Sequence, residues 1–478
     1  MQALTDVAYC VAAIFTSPLW LWWLFGTGQQ RTDWRARFGF GAQLPPVRTK
    51  PSIHTSADNT PQSSHTNVQR GRILVHAVSM GEVNAARLLV ERLSKHCEVV
   101  LSATTDTGFA RALAVAPAGV SVVRYPLDIN MAVERFLNRV QPDLVALVEL
   151  EAWPNFIRAC SSRNIPIAVV NGRISDRGFK RYKLARWFLK PLFKRFLFVS
   201  AQTQLYADRF VFMGVPTERV HVGGTMKWDS APVAPALAVN TATGAPSAID
   251  QATHAAQQRA LEDAQQLAND LARELGIDRA RPLVVAGSTA DGEEALLHAC
   301  VPEGVQLLCA PRKPARFNDA AIDLPGCVRR THRPIGSGDG QRGSDRFLLD
   351  TMGELKKAYA LATVVVVGRS FGDLHGSDMM EPVALGKATI IGPRYGDFAD
   401  TAQKLLDAGG MVCVTREALP RVLQELIADA ATRERMIDAA LGVIRREQGA
   451  TVRNEMLLRE LLQETIHARA QSATVERA

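Results

Sequence analysis

Several absences narrow the reading of this chain. Its seven cysteines, at positions 10, 97, 160, 300, 309, 327 and 413, are odd in number and scattered, without a C-x-x-C pair. That excludes a secreted disulfide framework and fits a reduced, cytoplasm-facing compartment. No cluster of potential ligands has zinc spacing, so no metal is expected. No repeat of fixed period and no nucleic-acid-binding motif is found, so nucleic acid is not an expected partner. Met1–Asp6 holds neither Lys nor Arg, so the apolar segment after it lacks the basic start of a signal peptide. From Val7 to Gln30 there is no charged residue at all.

That uncharged stretch is also the first positive signal. Tyr9–Phe25 is densely apolar, Trp20, Trp22 and Trp23 lie near its end, and Arg31, Arg35 and Arg37 follow at once. A span needs about 20 apolar residues, which residues 1–30 barely supply. Tryptophans beside arginines fit a bilayer interface, and the positive-inside rule then puts the rest of the chain on the cytoplasmic side of an inner membrane. The alternative is a buried N-terminal helix. Across the chain 56 Lys+Arg face 48 Asp+Glu, a net charge of +8 that suits anionic partners. With 478 residues and 47% hydrophobic content there is room for two full α/β domains.

Residues 31–71 read as a juxtamembrane segment and flexible linker, since Gly41–Gly71 is rich in Pro, Ser, Thr, Asn and Gln. Residues 72–230 then alternate short apolar runs with helical patterns. The runs are Arg72–Ser79, Val99–Thr104, Val120–Tyr125, Leu144–Val148, Ile165–Val170 and Phe196–Ala201. Alternation of this kind predicts a parallel, helix-covered sheet. An Ala-rich insertion over 231–280 is expected between domains, its second half an exposed helix. Residues 281–430 repeat the alternation, with strands predicted at Leu283–Gly287, Val305–Cys309, Arg346–Leu349, Val364–Val367 and Thr389–Ile391. Residues 431–478 read as a helical tail. Two consecutive α/β halves point to a two-domain enzyme with a cleft.

Chemistry-bearing residues concentrate where strands end, the edge at which open α/β sheets bind ligands. Glu149 and Glu151 (ELEAWPN) follow the run Leu144–Val148, and Asn171 and Arg173 (VNGRISD) follow the next. Glu82, in HAVSMGE, lies in the first turn of the helix after the first strand. It is either a general base with a pKa raised by partial burial or a helix-start Glu favoured by the macrodipole. TTDTG has the form of a helix cap at Thr105 or Asp106. In the second half GSTADGEE (with Ser288), APRKPARF (with Arg312, Lys313 and Arg316), DTMGEL (Thr351, Met352, Gly353, Glu354) and GRSFGDLHGSDMMEP (Ser370, Asp378, Glu381) follow strands. Small residues let backbone N–H groups approach a phosphate, and arginines suit anions. Four such loops in one domain point to a nucleotide.

HAVSMGE, TTDTGF, YPLD, ELEAWPN, VNGRISD, GGTMKWD, GSTADGEE, PRKPARF, DTMGEL and MMEP occur in one order, over about Trp34–Ala430. In this the chain resembles the 3-deoxy-D-manno-octulosonic acid (Kdo) transferases. The resemblance implies a GT-B fold: two Rossmann-like parallel-sheet domains facing a cleft, behind an N-terminal membrane-anchor helix. It implies inverting, metal-independent transfer of Kdo from CMP-Kdo to a lipid A precursor, with no further cofactor. Carried over by position, Glu82 resembles the general base and Glu149 and Glu151 the acidic pair. Asn171 and Arg173 are then on the acceptor side, Arg312 on the CMP phosphate, and Glu381 on the ribose. Thr351, Met352, Gly353 and Glu354 form a cytidine-proximal turn, and Ser288, Ser370 and Asp378 belong to the donor loops. Four residues depart from the family pattern. Ala290 and Lys313 each stand where it has His, and Ser377–Asp378 replaces His-Asn. A GT-B enzyme for another sugar nucleotide, or a silent lipid- or nucleotide-binding relative, are the competing readings.

Arg173–Phe198 interleaves nine Lys and Arg residues with Phe179, Tyr182, Trp187, Phe188, Phe193 and Phe196. Such a stretch binds membrane lipids through anionic headgroups or is an amphipathic helix with solvated charges.

Overall fold

The computed structural model describes residues 32–45, 49–51, 67–69, 71–230, 265–331 and 344–475. The segment expected to anchor the chain, residues 1–30, lies outside them. Among the described residues no helix is long and apolar enough to cross a membrane. The chain forms two compact units, one from the residues up to Ser230 together with those from Gln448 onward, the other between them.

The first unit is built on seven strands: β1 (Arg72–Ala77), β2 (Glu98–Ala103), β3 (Ser121–Arg124), β4 (Leu144–Val148), β5 (Ile167–Gly172), β6 (Phe196–Ala201) and β7 (Val220–Val222). All pairings are parallel, in the order β3-β2-β1-β4-β5-β6-β7. Because helices cover both faces, the central strands are apolar throughout rather than alternating. On one face Ile73, Val75, Ala146 and Val148 join a core that the helix Met80–Ser94 closes with Val83, Leu89 and Leu93. On the other, Leu74, Val145 and Leu147 pack with Phe136, Phe156 and Phe193. Strand order reverses between β1 and β4, so the loops after these two strands part and leave a crevice at their carboxyl ends.

The second unit repeats the design with β8 (Leu283–Thr289), β9 (Gln306–Pro311), β10 (Val328–Arg329), β11 (Arg346–Leu348), β12 (Val364–Val367), β13 (Ala388–Ile391) and β14 (Val412–Cys413). The sheet is parallel, in the order β10-β11-β9-β8-β12-β13-β14, with its switch between β8 and β12. The Rossmann-like, parallel-sheet architecture read from the sequence is therefore present in both units. β7, β10 and β14 were not foreseen, for each is a two- or three-residue edge strand too short to show a pattern.

Two other expectations change. The helix through 265–275 is not merely exposed, since Ala268, Leu271, Ala272 and Leu275 are buried at helical spacing. The tail is two helices with different hosts. Ala430–Glu447 packs on the second unit. Ala450–Val475 returns to the first, where Ala450, Leu458 and Leu462 enter the core and Arg92 pairs with Glu455 at 2.6 Å. Asp229 fixes that return by accepting the N–H groups of Gly449 (2.5 Å) and Thr451 (2.6 Å), a cap worth about 1 kcal/mol.

Candidate active site

In the first unit the switch-point edge gathers three carboxylates. Glu82 enters through the turn after β1. Ser79 caps the helix Met80–Ser94 through the Glu82 N–H, and the Glu82 carboxylate accepts from the Val78 N–H at 2.9 Å and the Ser79 hydroxyl at 3.0 Å. The macrodipole reading of Glu82 is thus met in geometry, as a capping box with one residue's offset. Its carboxyl is nonetheless raised to about 7. Burial is the main cause; the two hydrogen bonds oppose it and the charge of Glu149 adds to it. Glu151 is likewise raised to about 7, by burial first and by the charge of Glu82 second. The Tyr182 hydroxyl is raised by burial and by Glu151. Glu82 therefore feels the charge of Glu149, and Glu151 that of Glu82, in one half-buried crevice. Glu149 is held with φ 63° and Asn171 with φ 54°. Left-handed backbone costs a non-glycine residue about 1–3 kcal/mol and persists where its surroundings enforce it.

Several residues of the motifs hold the loops in place. The Asp128 carboxylate accepts the N–H groups of Asn155 (3.0 Å) and Phe156 (2.8 Å), so it caps the helix Pro154–Ser162 from another loop. The Asn155 amide returns a bond to the Asp128 carbonyl at 2.7 Å. Asn171, expected on the acceptor side, is wholly buried and its Oδ1 accepts from the Met226 N–H at 3.0 Å, fastening the GGTMKWD loop. Arg173 is half-buried at the same strand end, its N–H bonded to the Glu149 carbonyl at 3.3 Å. His76 is stacked on Tyr125, with ring centroids 3.8 Å apart. Burial pushes its pKa down to about 3, so it stays neutral in the core.

In the second unit the switch point is organised by a residue that sequence reading passed over. Glu293 is 1% exposed, and its carboxylate accepts four backbone N–H groups: Ala290 at 2.8 Å, Arg369 at 2.7 Å, Ser370 at 3.0 Å and Phe371 at 3.0 Å. It thereby binds the loops after β8 and β12 together. Ser288 (φ 57°) and Arg369 (φ 59°) are the left-handed residues of those loops. A Cβ on Gly368 would meet the Ser288 carbonyl oxygen at 2.7 Å, which is why glycine is needed there. Ser370, expected among the donor loops, is held by internal bonds. Its N–H goes to Glu293, its hydroxyl donates to the Val367 carbonyl and accepts the Gly392 N–H at 2.8 Å, and it is fully buried. Arg316 is also committed, pairing with Glu294 at 3.2 Å and Asp291 at 3.3 Å.

Other donor-loop residues remain open. Arg312 is exposed at the end of β9, while its backbone N–H bonds to the Thr289 carbonyl at 3.0 Å. The buried Tyr359 ring packs under Gly287, where a Cβ would fall 2.0 Å from its hydroxyl oxygen. Burial raises Tyr359 far above its usual value, Glu381 and Asp378 add to the rise and Arg312 opposes it, so the charges of all three reach its hydroxyl. Glu381 is raised by burial and by Asp378, against Lys356. Asp378 accepts the Met380 N–H at 2.9 Å. The Ser377 hydroxyl beside it is buried and has no hydrogen-bond partner among the described residues. Met352 and Gly353 (φ 87°) form an exposed turn, whereas Glu354 is occupied by Thr351 (2.6 Å), Lys357 (3.0 Å) and Arg330 (3.2 Å).

The basic, aromatic stretch forms two short helices, Asp176–Leu184 and Arg186–Phe193. Most of its aromatics point inward: Phe193 is buried against Phe196 at 5.3 Å and Phe179 meets Phe212 at 5.4 Å. Leu184 and Trp187 do not, being 84% and 82% exposed, with Arg177, Lys180, Arg181 and Lys183 exposed nearby in sequence.

A family model described as 3-deoxy-D-manno-octulosonic-acid transferase (kdotransferase) matches residues 32–230. The chain is 30% identical to the 3-deoxy-D-manno-octulosonic acid transferase of Haemophilus influenzae over 412 residues, covering 82% of this chain and 88% of that one. It is 29% identical to the transferase of the same name from Bordetella pertussis, over 93% of this chain and 96% of that one. In structure it is similar to a UDP-GlcNAc 2-epimerase from Neisseria meningitidis bound to UDP-GlcNAc, with a TM-score of 0.52 and 12% identity over 81% of this chain and 100% of that one, a likeness of fold. With the transferase from Haemophilus influenzae matched across most of both lengths, the chain belongs to the Kdo transferase family and is a glycosyltransferase.

Proposed function

We propose that this enzyme transfers Kdo from CMP-Kdo to a sugar hydroxyl of a lipid A precursor, with inversion, at the cytoplasmic face of the inner membrane. The observation that carries the reading is the carboxylate group at the β1/β4 switch, where Glu82 and Glu151 are each raised to about 7. A base with a pKa near the working pH is both available and strong enough to take a proton. Glu82 takes the proton of the acceptor hydroxyl as its oxygen attacks the anomeric carbon. The bond from that carbon to the CMP phosphate oxygen breaks, and CMP leaves with the electron pair. Glu149 lends negative potential near a centre that gains positive charge, the kind of fixed electrostatics that lowers a barrier, and Glu151 adds to it as it loses its proton through about pH 7.

On the donor side Arg312 binds the phosphate and Glu381 the ribose hydroxyls, with the Met352–Gly353 backbone near the cytosine. The unpartnered Ser377 hydroxyl is available to the same ligand. The apolar N-terminal segment and the exposed Leu184 and Trp187 among cations support residence at a bilayer. The test is transfer from CMP-Kdo, generated in situ, to a tetraacyl lipid A precursor, read by mass spectrometry. A Kdo increment is expected. No increment with CMP still bound would mean a different acceptor; no increment and no CMP binding would point to another sugar nucleotide.

A further inference from the structure

At the edge of the first unit opposite the carboxylates, the N-terminal ends of β5 and β6 and the last turns of the helix Ala450–Val475 border a cavity of about 730 Å³ that is open to solvent. Four arginines line it, Arg163, Arg195, Arg219 and Arg469, and no carboxylate does. Two are neutralised from behind: Arg163 pairs with Glu134, and Arg469 with Asp143 at 2.5 Å. The other two have no carboxylate partner among the described residues. Arg195 donates to the Ser161 hydroxyl, and Arg219 makes two long bonds, 3.4 Å each, to the carbonyls of Lys194 and Phe196.

Helix ends explain part of this, since Ser161 and Arg163 close the helix Pro154–Ser162 and cations are favoured there. Arg469 reaches the Asn164 carbonyl past the same helix, and Arg195 and Arg219 stand at the end of the helix Arg186–Phe193. Helix ends thus favour each arginine singly but do not account for all four facing one space. Two guanidinium groups left facing one space repel one another unless an anion sits between them. Their forked donors match phosphate geometry, and Ile165, Pro166 and Leu197 give the same cavity an apolar wall.

We infer that this cavity is a second anion site, which takes a phosphate group and is distinct from the donor loops of the second unit. The group comes either from a soluble phosphorylated compound or from an anionic lipid headgroup. The C-terminal helix closes the site with Thr465 and Arg469, which gives its return to the first unit a use beyond core packing.

The test uses the full chain and an Arg195→Gln/Arg219→Gln double variant. An Arg87→Gln/Arg111→Gln variant with the same loss of charge elsewhere on this unit is the control. Pyrophosphate binding is measured by calorimetry, and flotation is measured with phosphatidylglycerol against phosphatidylcholine vesicles. A tenfold or greater loss of pyrophosphate affinity in the double variant alone supports a soluble ligand. Loss of phosphatidylglycerol binding with pyrophosphate unaffected supports the headgroup. Equal behaviour of the double variant and the control in both assays overturns the site. Should the double variant fail to fold, hydrogen exchange on the unaltered protein decides: pyrophosphate or phosphatidylglycerol must slow exchange at 163–167 and 195–197, and no slowing with either overturns the site.

Discussion

The two switch points place buried carboxylates in opposite circumstances. At β8/β12, Glu293 is surrounded by four backbone N–H donors, all within 3.0 Å. At β1/β4, the crevice collects three carboxylates, and Glu82 has one N–H and one hydroxyl to accept. Glu293, met by four backbone donors, ties loops together; Glu82, supplied with fewer donors and beside other acids, keeps a proton into the neutral range. The same residue type at the same place in two similar sheets is thus structural in one unit and, in the proposed mechanism, reactive in the other. The number of donors around it decides which.

The sharpest way to break the comparison is to neutralise the reactive acid. Glu82→Gln is expected to lower Kdo transfer by about 10²–10⁴-fold, the usual contribution of a general base, while thermal stability is kept. The reverse pattern is expected at the other switch. Glu293→Ala leaves several buried N–H groups without acceptors at about 1–3 kcal/mol each, so urea titration should show a loss of at least ~3 kcal/mol in the second unit. Glu293→Gln should recover little of it, because an amide presents an NH₂ to one of the two donor pairs.

The pH profiles of stability and rate should run in opposite directions. In the folded protein Glu82 and Glu151 keep their protons up to about 7, against a usual value of 4.5 once unfolded. Between those values the native state binds more protons, so this contribution to stability falls as pH rises through the window and is flat above it. Over the same interval the rate should climb. Comparing denaturation midpoints at pH 5 and pH 8 should show a flatter slope in the Glu82→Gln/Glu151→Gln double variant than in the native chain. A smaller effect is expected from Glu149→Gln. Removing its charge should move the acidic limb of the rate profile to lower pH, by less than one unit. At the surface, Leu184→Ser/Trp187→Ser should weaken vesicle binding several-fold without changing transfer to a short-chain, soluble acceptor.

How much of this was legible follows from the range of each interaction. The central strands were visible because burial on both faces makes them continuously apolar, as in Leu144–Val148 and Val364–Val367, and that is a property of local sequence. Glu82, Glu149 and Glu151 were visible because charge directly after such a run has few architectural uses. The functions of Asp128, Asn155, Asn171 and Asp229 were not, since each is set by a partner 27 to 222 residues away that no local pattern announces. Glu293 was hidden for the same reason. Its motif GSTADGEE reads as a phosphate loop, yet three of the N–H groups that its carboxylate satisfies come from 76 to 78 residues downstream. The return of the C-terminal helix to the first sheet was equally non-local.

The most direct test of the central claim is the rate of Kdo transfer from CMP-Kdo as a function of pH, in single turnover, for the native enzyme and for Glu82→Gln. The account predicts a native rate that rises through an apparent pKa near 7 and a variant rate that is far lower and lacks that limb. A Glu82→Gln enzyme with the native rate and the native limb would contradict it.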